Sequence, residues 1–193
     1  KKMYQKLDEG VLYLSYIGHS NGVSWTHDGL MNLNDINNMY LKYPPVIYTA
    51  SCQFTRWDAT STTGGETLFL NPQGGALALI STSRDVYITD NGVLSKLLGE
   101  KLFNKDSNNK YIRLGDALKE AKNAYSPNGN KLRYLLAGDP AMRMAYPSYN
   151  IKLETINGEV VSENNMPELK ARQTMVIEGS VYDEFGNKAT NFN

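Results

Sequence analysis

Two side chains suited to nucleophilic chemistry each follow an apolar run of the sequence. Cys52, the only cysteine in 193 residues, lies two positions after the run Val46–Ala50, and His19 lies two positions after Val11–Ile17. A free thiol is only a small fraction thiolate at neutral pH, and an adjacent imidazole raises that fraction and can later protonate a leaving amine. Together the two residue types could attack an acyl carbon and release an amine.

The spacing of these two residues suits a pair of neighbouring strands. Both apolar runs are nearly continuous rather than alternating, which is typical of strands buried on both faces of a parallel sheet. The separation of 33 positions between His19 and Cys52 fits one strand–helix–strand crossover. Since the carboxyl ends of parallel strands meet at the same edge of a sheet, we expect both side chains at that edge.

The residue pattern alone leaves a second interpretation open. A lone cysteine is more often a small buried apolar residue than a nucleophile, and a lone histidine in a loop is usually only a polar loop residue. His27, the other histidine, lies in a stretch that indicates nothing beyond loop polarity. Gly18 and the pair Asn21-Gly22 would let the backbone around His19 approach a substrate closely, which favours a site.

Two further apolar runs and four helical patterns complete the α/β pattern. Ala76–Thr82 and Leu132–Gly138 predict two more strands. Helices are predicted at residues 32–45, 64–72, 91–105 and 113–125. Asp116 is the expected N-cap of the last helix, and the glycines around the short second helix are interpreted as turns. This alternation predicts an α/β domain with a mostly parallel sheet between helices on both faces, a three-layer α/β/α architecture.

The composition changes after Pro147. The remaining sequence alternates between apolar and polar residues and is interrupted by Gly and Asn. This predicts the first strands of an all-β, immunoglobulin-like sandwich. We therefore expect domains at residues 1–147 and 148–193. Because the sequence stops just after a strand-and-turn pattern, we also expect a fragment of a longer protein.

The composition argues against several classes of function. Twenty Lys and Arg residues balance twenty Asp and Glu residues, and no run of five like charges occurs, so a nucleic-acid partner is not expected. No stretch approaches the roughly 18 apolar residues of a membrane span, and the start does not read as a signal peptide. One cysteine and two histidines give no zinc set of usual spacing, so no metal or other cofactor is expected. Phosphate-binding and dinucleotide motifs and the serine nucleophile elbow are all absent.

Four blocks of the sequence resemble the gingipain family of cysteine peptidases. They read "YLSYIGHSNGVSW", "PPVIYTASCQFTRWD", "NPQGGALALISTSRDVY" and "LLAGDPAMRM". The similarity runs from about Val11 to Pro147, and the four blocks together are specific. It implies a caspase-like fold in which the histidine and the cysteine each follow an apolar strand. Within the family, the second and third blocks are similar to the sortase-like peptidases of the type IX secretion system of Gram-negative bacteria.

The resemblance implies a role for each residue at the sheet edge. Cys52 matches the nucleophile, and His19 matches the general base and acid. The backbone N–H groups of Ser20 and Cys52 match the donors that stabilise the oxyanion. Relatives usually have glycine where this chain has Ser20, and the added side chain narrows the approach to the site.

The resemblance also implies a substrate pocket. The loop after the third strand carries an aromatic pocket residue in the family, which matches Tyr87, with Arg84 and Asp85 as further candidates for substrate binding. The acidic residue that orients the histidine lies upstream in the family, and neither acid that precedes His19 here has that position. We therefore expect the orienting acid, and the first half of the catalytic domain, to lie outside this sequence, so that the fragment by itself is inactive.

The implied function is cleavage of C-terminal sorting domains from exported cargo proteins at the extracellular face of the outer membrane. A Cys52 thioester would be resolved by water or by an amine of a surface lipid. Other outer-membrane proteins of the secretion system are the implied partners, and a structural calcium ion occurs among relatives. Two alternatives stay open: a secreted digestive protease of gingipain type, and a non-catalytic scaffold of the secretion machinery. Retention of both Cys52 and His19 counts against the scaffold.

Overall fold

The computed structural model describes residues 2–125, 129–190 and 192 of the chain. The chain divides into two compact units, the first ending at Ala145 and the second beginning at Tyr146. The first unit contains, in chain order, α1 (Lys2–Glu9), β1 (Tyr13–Ile17), β2 (Ser24–Trp25), β3 (Met31–Asn32), α2 (Leu33–Asn37), β4 (Val46–Ala50), α3 (Gly64–Leu70), β5 (Ala78–Thr82), α4 (Ile88–Phe103), α5 (Leu114–Ala124), α6 (Gly129–Arg133) and β6 (Tyr134–Ala137).

A four-stranded sheet of order β1-β4-β5-β6 forms the centre of the first unit. β1, β4 and β5 are parallel, and every residue of β4 and β5 is buried. Burial on both faces explains why these runs are continuously apolar rather than alternating. The predicted mostly parallel sheet is confirmed.

β6 runs antiparallel to β5. α6 ends at Arg133, whose carbonyl accepts a hydrogen bond from Ser83 N at 2.9 Å. Ser83 follows directly after β5, so β6 starts beside the carboxyl end of its neighbour and has to run back along it.

Helices cover both faces of the sheet. On one face, α1, α2 and α3 contribute to a core that contains Ile47 and Leu79 of the central strands. On the opposite face, α4 packs against β1 and β4, and α5 packs against α4. Tyr48 points to this second face, where its ring stacks on Tyr134 with centroids 5.8 Å apart. The predicted three-layer architecture is confirmed.

The connection from β1 to β4 differs from the single helix that the sequence predicted. It contains the antiparallel hairpin β2–β3 and then α2, which has only five residues. The helix ends early because the Asn71 amide donates to the carbonyls of Ile36 and Met39, at 2.9 and 3.0 Å. Leu41 N then bonds to Gln73 O, so the chain continues along the loop after α3.

The predicted N-cap of α5 is wrong. Arg113 occupies the N-cap position with extended backbone, and Asp116 lies inside the first turn. The amides of Leu114 and Gly115 donate instead to the carbonyls of Met142 and Pro140, both at 2.9 Å. Backbone acceptors from the chain after β6 therefore replace a side-chain cap, because they satisfy the same unpaired amides.

The second unit contains a three-stranded antiparallel sheet. Its strands are β7 (Tyr149–Ile156), β8 (Glu159–Val160) and β9 (Ile177–Asp183), in the order β8-β7-β9. Glu154 in β7 accepts hydrogen bonds from the hydroxyls of Ser180 and Tyr182, at 2.8 and 2.6 Å. This sheet fits the start of the predicted β domain.

Candidate active site

The loops that follow β1 and β4 lie side by side at the carboxyl edge of the sheet. Ile17 and Ala50, the last residues of the two strands, are register partners. Gly18 N then donates to Ala50 O at 3.2 Å, and Ser20 Oγ donates to Cys52 O at 2.6 Å. The residue after His19 therefore contacts the backbone of Cys52 directly, across a separation of 32 residues in sequence.

His19 is exposed at this edge, and its backbone is fixed from two sides. Its carbonyl accepts hydrogen bonds from Tyr16 Oη at 2.6 Å and from Thr26 N at 2.9 Å. Within the described part of the chain, the ring of His19 has no hydrogen-bond partner. The second histidine, His27, is exposed in the turn between β2 and β3.

Cys52 is half-buried in the turn that follows β4. Val86 N donates to Cys52 Sγ at 3.5 Å, and the thiol points back to Val86 O at 3.7 Å. Gln53, the next residue, has φ +57°, in the left-handed region that is uncommon for residues other than glycine. Such backbone strain persists only where surrounding contacts enforce it, and it clusters at functional sites. Here Gln53 N donates to Arg84 O at 3.2 Å.

Two backbone N–H groups in the loops of His19 and Cys52 are available to an external acceptor. Ser20 pairs with Trp25 in an antiparallel bridge. The hydrogen bonds of the bridge lie on either side of this pair, so Ser20 N–H points away from the hairpin. Among the described residues, neither Ser20 N–H nor Cys52 N–H has an acceptor. The Ser20 side chain donates to the carbonyl of Cys52, so its hydroxyl is engaged with the protein.

The segment Ser83–Tyr87 forms a wall beside the thiol. Arg84 makes a two-point ion pair with Asp58, at 3.1 and 2.8 Å. Asp85 accepts a hydrogen bond from Gln53 Nε2 at 2.8 Å. The charged groups of Arg84 and Asp85 are therefore engaged with protein partners on the surface.

Tyr87 is the aromatic residue of this wall and is exposed, with 67% of its surface accessible. The guanidinium of Arg133 lies 5.8 Å from the centre of its ring, within the range of a cation–π contact. The backbone of Tyr87 is held by Asn130, whose carboxamide is fully buried. The ring is thus presented to solvent on a fixed backbone.

Sequence reasoning missed Gln53, Val86 and Asn130. The strained turn at Gln53 has no sequence signal, because a positive φ is mainly predicted where the sequence has glycine, and this position has glutamine. Val86 acts through its backbone, which carries no sequence information. Asn130 lies in the polar stretch before β6, where an asparagine would ordinarily indicate a turn.

Neither a metal centre nor a membrane span is found in the described ranges of the chain. No group of three or more His, Cys, Asp and Glu side chains in those ranges is placed to hold a metal ion. No helix in them has the length and apolar character needed to cross a bilayer.

The three-layer fold, with a thiol and an imidazole in adjoining loops at the carboxyl edge, is the architecture of caspase-like cysteine peptidases. The family model of Peptidase family C25 matches residues 1–145. The chain therefore belongs to peptidase family C25, the gingipain family. A search of curated protein sequences gave no match.

Two solved structures, gingipain R and a protease, agree with this fold. The Arg-specific cysteine proteinase gingipain R superimposes with a TM-score of 0.64 at 16% identity, over 79% of this chain and 38% of its own. A structure described only as a protease gives 0.64 at 13% identity, over 97% of this chain and 51% of its own. Dimeric latent PorU from Porphyromonas gingivalis gives 0.33 at 27% identity, over 60% and 11%. This chain thus spans between a third and about half of the first two proteins.

Proposed function

We propose that Cys52 and His19 form the catalytic dyad of a cysteine peptidase. The observation that carries this proposal is the hydrogen bond from Ser20 Oγ to Cys52 O, because it joins the loops of the two residues at the carboxyl edge of the sheet. Membership of peptidase family C25 supports the same chemistry.

In the first step, the Cys52 thiolate attacks the carbonyl carbon of a peptide bond, and His19 carries the proton taken from the thiol. The carbonyl oxygen becomes an oxyanion, which the N–H groups of Ser20 and Cys52 stabilise. Both donors are backbone groups in hydrogen-bonded loops, so they need little reorganisation during the reaction.

In the second step, the carbon–nitrogen bond breaks, and His19 gives its proton to the leaving amine. An acyl thioester remains on Cys52. Water hydrolyses the thioester to a carboxylic acid, or an amine forms a new amide, and either acceptor regenerates the thiol. The exposed position of His19 leaves room for an acceptor to reach it.

The finer proposal is a sortase-like peptidase that acts on exported cargo at the surface of a Gram-negative cell. It rests on the sequence blocks around Cys52 and Tyr87, which resemble the peptidases of the type IX secretion system. Under this proposal the substrate is a cargo protein with a C-terminal sorting domain, and the outer-membrane proteins of that system are the partners. A surface lipid that carries an amine is the proposed alternative acceptor to water.

The dyad is tested with the full-length protein and a panel of fluorogenic peptides that differ in the residue before the scissile bond. We expect Cys52→Ala to abolish cleavage and His19→Ala to reduce kcat/KM at least about 100-fold, since general acid–base groups contribute that much or more. His27→Ala is the matched control, and we expect it to retain wild-type activity. A fully active Cys52→Ala variant would disprove the dyad.

The sortase-like function is tested in the native host. We expect cells that carry only the Cys52→Ala variant to display cargo that retains its sorting domain, measured as a larger cargo mass at the cell surface. If cargo is still trimmed normally while purified wild-type protein cleaves peptides, the protein is a peptidase with a different substrate, such as a secreted digestive protease.

A further inference from the structure

A buried amide lies behind the wall formed by Ser83–Tyr87. Asn130 has no accessible surface, and it bonds to both backbone groups of Tyr87. Tyr87 N donates to Asn130 Oδ1 at 3.1 Å, and Asn130 Nδ2 donates to Tyr87 O at 2.9 Å. Because two bonds in opposite directions fix position and orientation together, the side chain holds Tyr87 much as a neighbouring strand would.

The same carboxamide is linked to the strand that carries the thiol. Asn130 Nδ2 also donates to Asn91 Oδ1 at 3.1 Å, and Asn91 Nδ2 donates to Ala50 O at 3.2 Å. Ala50 is the last residue of β4, two positions before Cys52. Tyr134 Oη completes the network with a 2.7 Å bond to Asn91 Oδ1. A continuous chain of hydrogen bonds therefore joins the backbone of Tyr87 to the end of β4.

The wall also contacts the thiol directly. Val86, the neighbour of Tyr87, donates its N–H to Cys52 Sγ at 3.5 Å. Arg133, three residues after Asn130, donates to Asp85 O and lies over the Tyr87 ring. The wall is thus held by Asn130 and Arg133 of α6, and it also contacts Cys52 through Val86.

We propose that Asn130 is a positioning residue for substrate selection: it holds the backbone of Tyr87, in the pocket wall, at a fixed position relative to Cys52. The inference rests on the proposed peptidase function of Cys52 and His19, and on the substrate-binding role that the resemblance to the gingipains implies for Tyr87. A buried neutral amide suits this role because it donates and accepts at once, whereas a carboxylate cannot donate and carries a charge that is costly to bury.

The test is the near-isosteric substitution Asn130→Asp in the full-length protein. The measured quantity is the ratio of kcat/KM for the preferred fluorogenic peptide to kcat/KM for the same peptide with glycine before the scissile bond. We expect this ratio to fall at least about fivefold, mainly through a higher KM for the preferred peptide. A variant that only folds less well would lose activity on both peptides equally, because fewer molecules would be active.

Asn123→Asp, an exposed change on α5, is the matched control and should leave the ratio unchanged. If Asn130→Asp does not fold, Asn130→Ala is used, since it removes the carboxamide without introducing a charge. Amide hydrogen exchange of the wild-type protein gives a readout that does not depend on catalysis. We expect Tyr87 N–H to be protected to a degree similar to Thr55 N–H, which bonds to Thr82 O at 3.0 Å in the core.

The outcomes separate the two proposals. An active wild-type enzyme whose selectivity ratio survives Asn130→Asp, or whose Tyr87 N–H exchanges without protection, overturns the role of Asn130 alone. A wild-type protein that cleaves no peptide overturns the peptidase function, and the positioning role with it.

Discussion

Gly65 lies where the turn after Cys52 and the start of α3 approach most closely. Its N–H donates to Phe54 O at 2.7 Å, and an added Cβ would lie 2.1 Å from Thr55 Oγ1 and 2.8 Å from Phe54 O. The preceding residue, Gly64, donates to Gly22 O at 2.7 Å. The helix that the sequence predicted at residues 64–72 begins at this pair. The two glycines form the first turn of α3 and fix it against the loops of both Cys52 and His19.

We expect Gly65→Ala to destabilise the protein by about 1–3 kcal/mol, because overpacking a tight backbone contact forces displacement of its neighbours. Urea unfolding monitored by circular dichroism measures this change. Gly99→Ala, in α4, is the control: an added Cβ there has no atom within 4 Å. Alanine should stabilise that helix by about 0.5–1 kcal/mol. Equal effects of the two substitutions would contradict the contact at Gly65.

Asn71 joins two helices that the sequence treats as separate. Its side-chain amide donates to the carbonyls of Ile36 and Met39 at the end of α2, while its own position follows the last residue of α3. Its Oδ1 accepts from Gln73 N at 2.9 Å. From the C-cap position of α3, one side chain therefore closes α2 and orders the turn between α3 and β5.

We expect Asn71→Ala to reduce the free energy of unfolding by about 1–3 kcal/mol, since a net contribution of about 0.5–1.5 kcal/mol is typical of each such bond. Asn38→Ala is the control, because Asn38 bonds only locally, to Asn34, and is exposed. Asn38→Ala should reduce the free energy of unfolding by less than about 0.5 kcal/mol. Unfolding in urea gives both values, and a cost at Asn71 no larger than at Asn38 would contradict the bridging role.

The whole molecule has a formal net charge of zero, but individual charged groups are stabilised by local ion pairs and hydrogen bonds. Among the described residues, four carboxyl groups have pKa values below their ordinary range, chiefly because they accept hydrogen bonds from neighbouring side chains or backbone N–H groups. They are Asp58, Asp106, Glu154 and Asp183. The first two lie in the first unit and the others in the second. Both units therefore have carboxylates whose ionised form is favoured in the folded state.

Each of these groups contributes stability that is fully present above its unfolded pKa, 3.8 for Asp and 4.5 for Glu. That contribution is lost as the pH falls through the lower pKa of the folded state. We therefore expect urea stability to be nearly constant from pH 7 to 5.5 and to fall progressively below pH 4.5. Asp58→Asn should weaken this acid dependence, whereas stability that rises on acidification would contradict it.

The order of strands near the site was predictable because it depends on local features. Continuous apolar runs marked β1, β4 and β5, and their spacing predicted that β1 and β4 are parallel neighbours. The length of α2 and the direction of β6 were not predictable. They depend on Asn71 and on Arg133, which act on residues far away in the sequence.

By itself, the sequence determined the fold class and the strand-end positions of Cys52 and His19, because apolar periodicity and strand ends are properties of adjacent residues. Its resemblance to the gingipains implied the family, and the match of residues 1–145 to the model of peptidase family C25 then confirmed it. Only the tertiary structure decided which groups surround the thiol. The strained turn at Gln53, the Val86 N–H at the sulfur and the amide pairing between Tyr87 and Asn130 all arise from packing. That last contact spans 43 residues, and no local pattern encodes a pairing that exists only once the sheet, α4 and α6 have assembled.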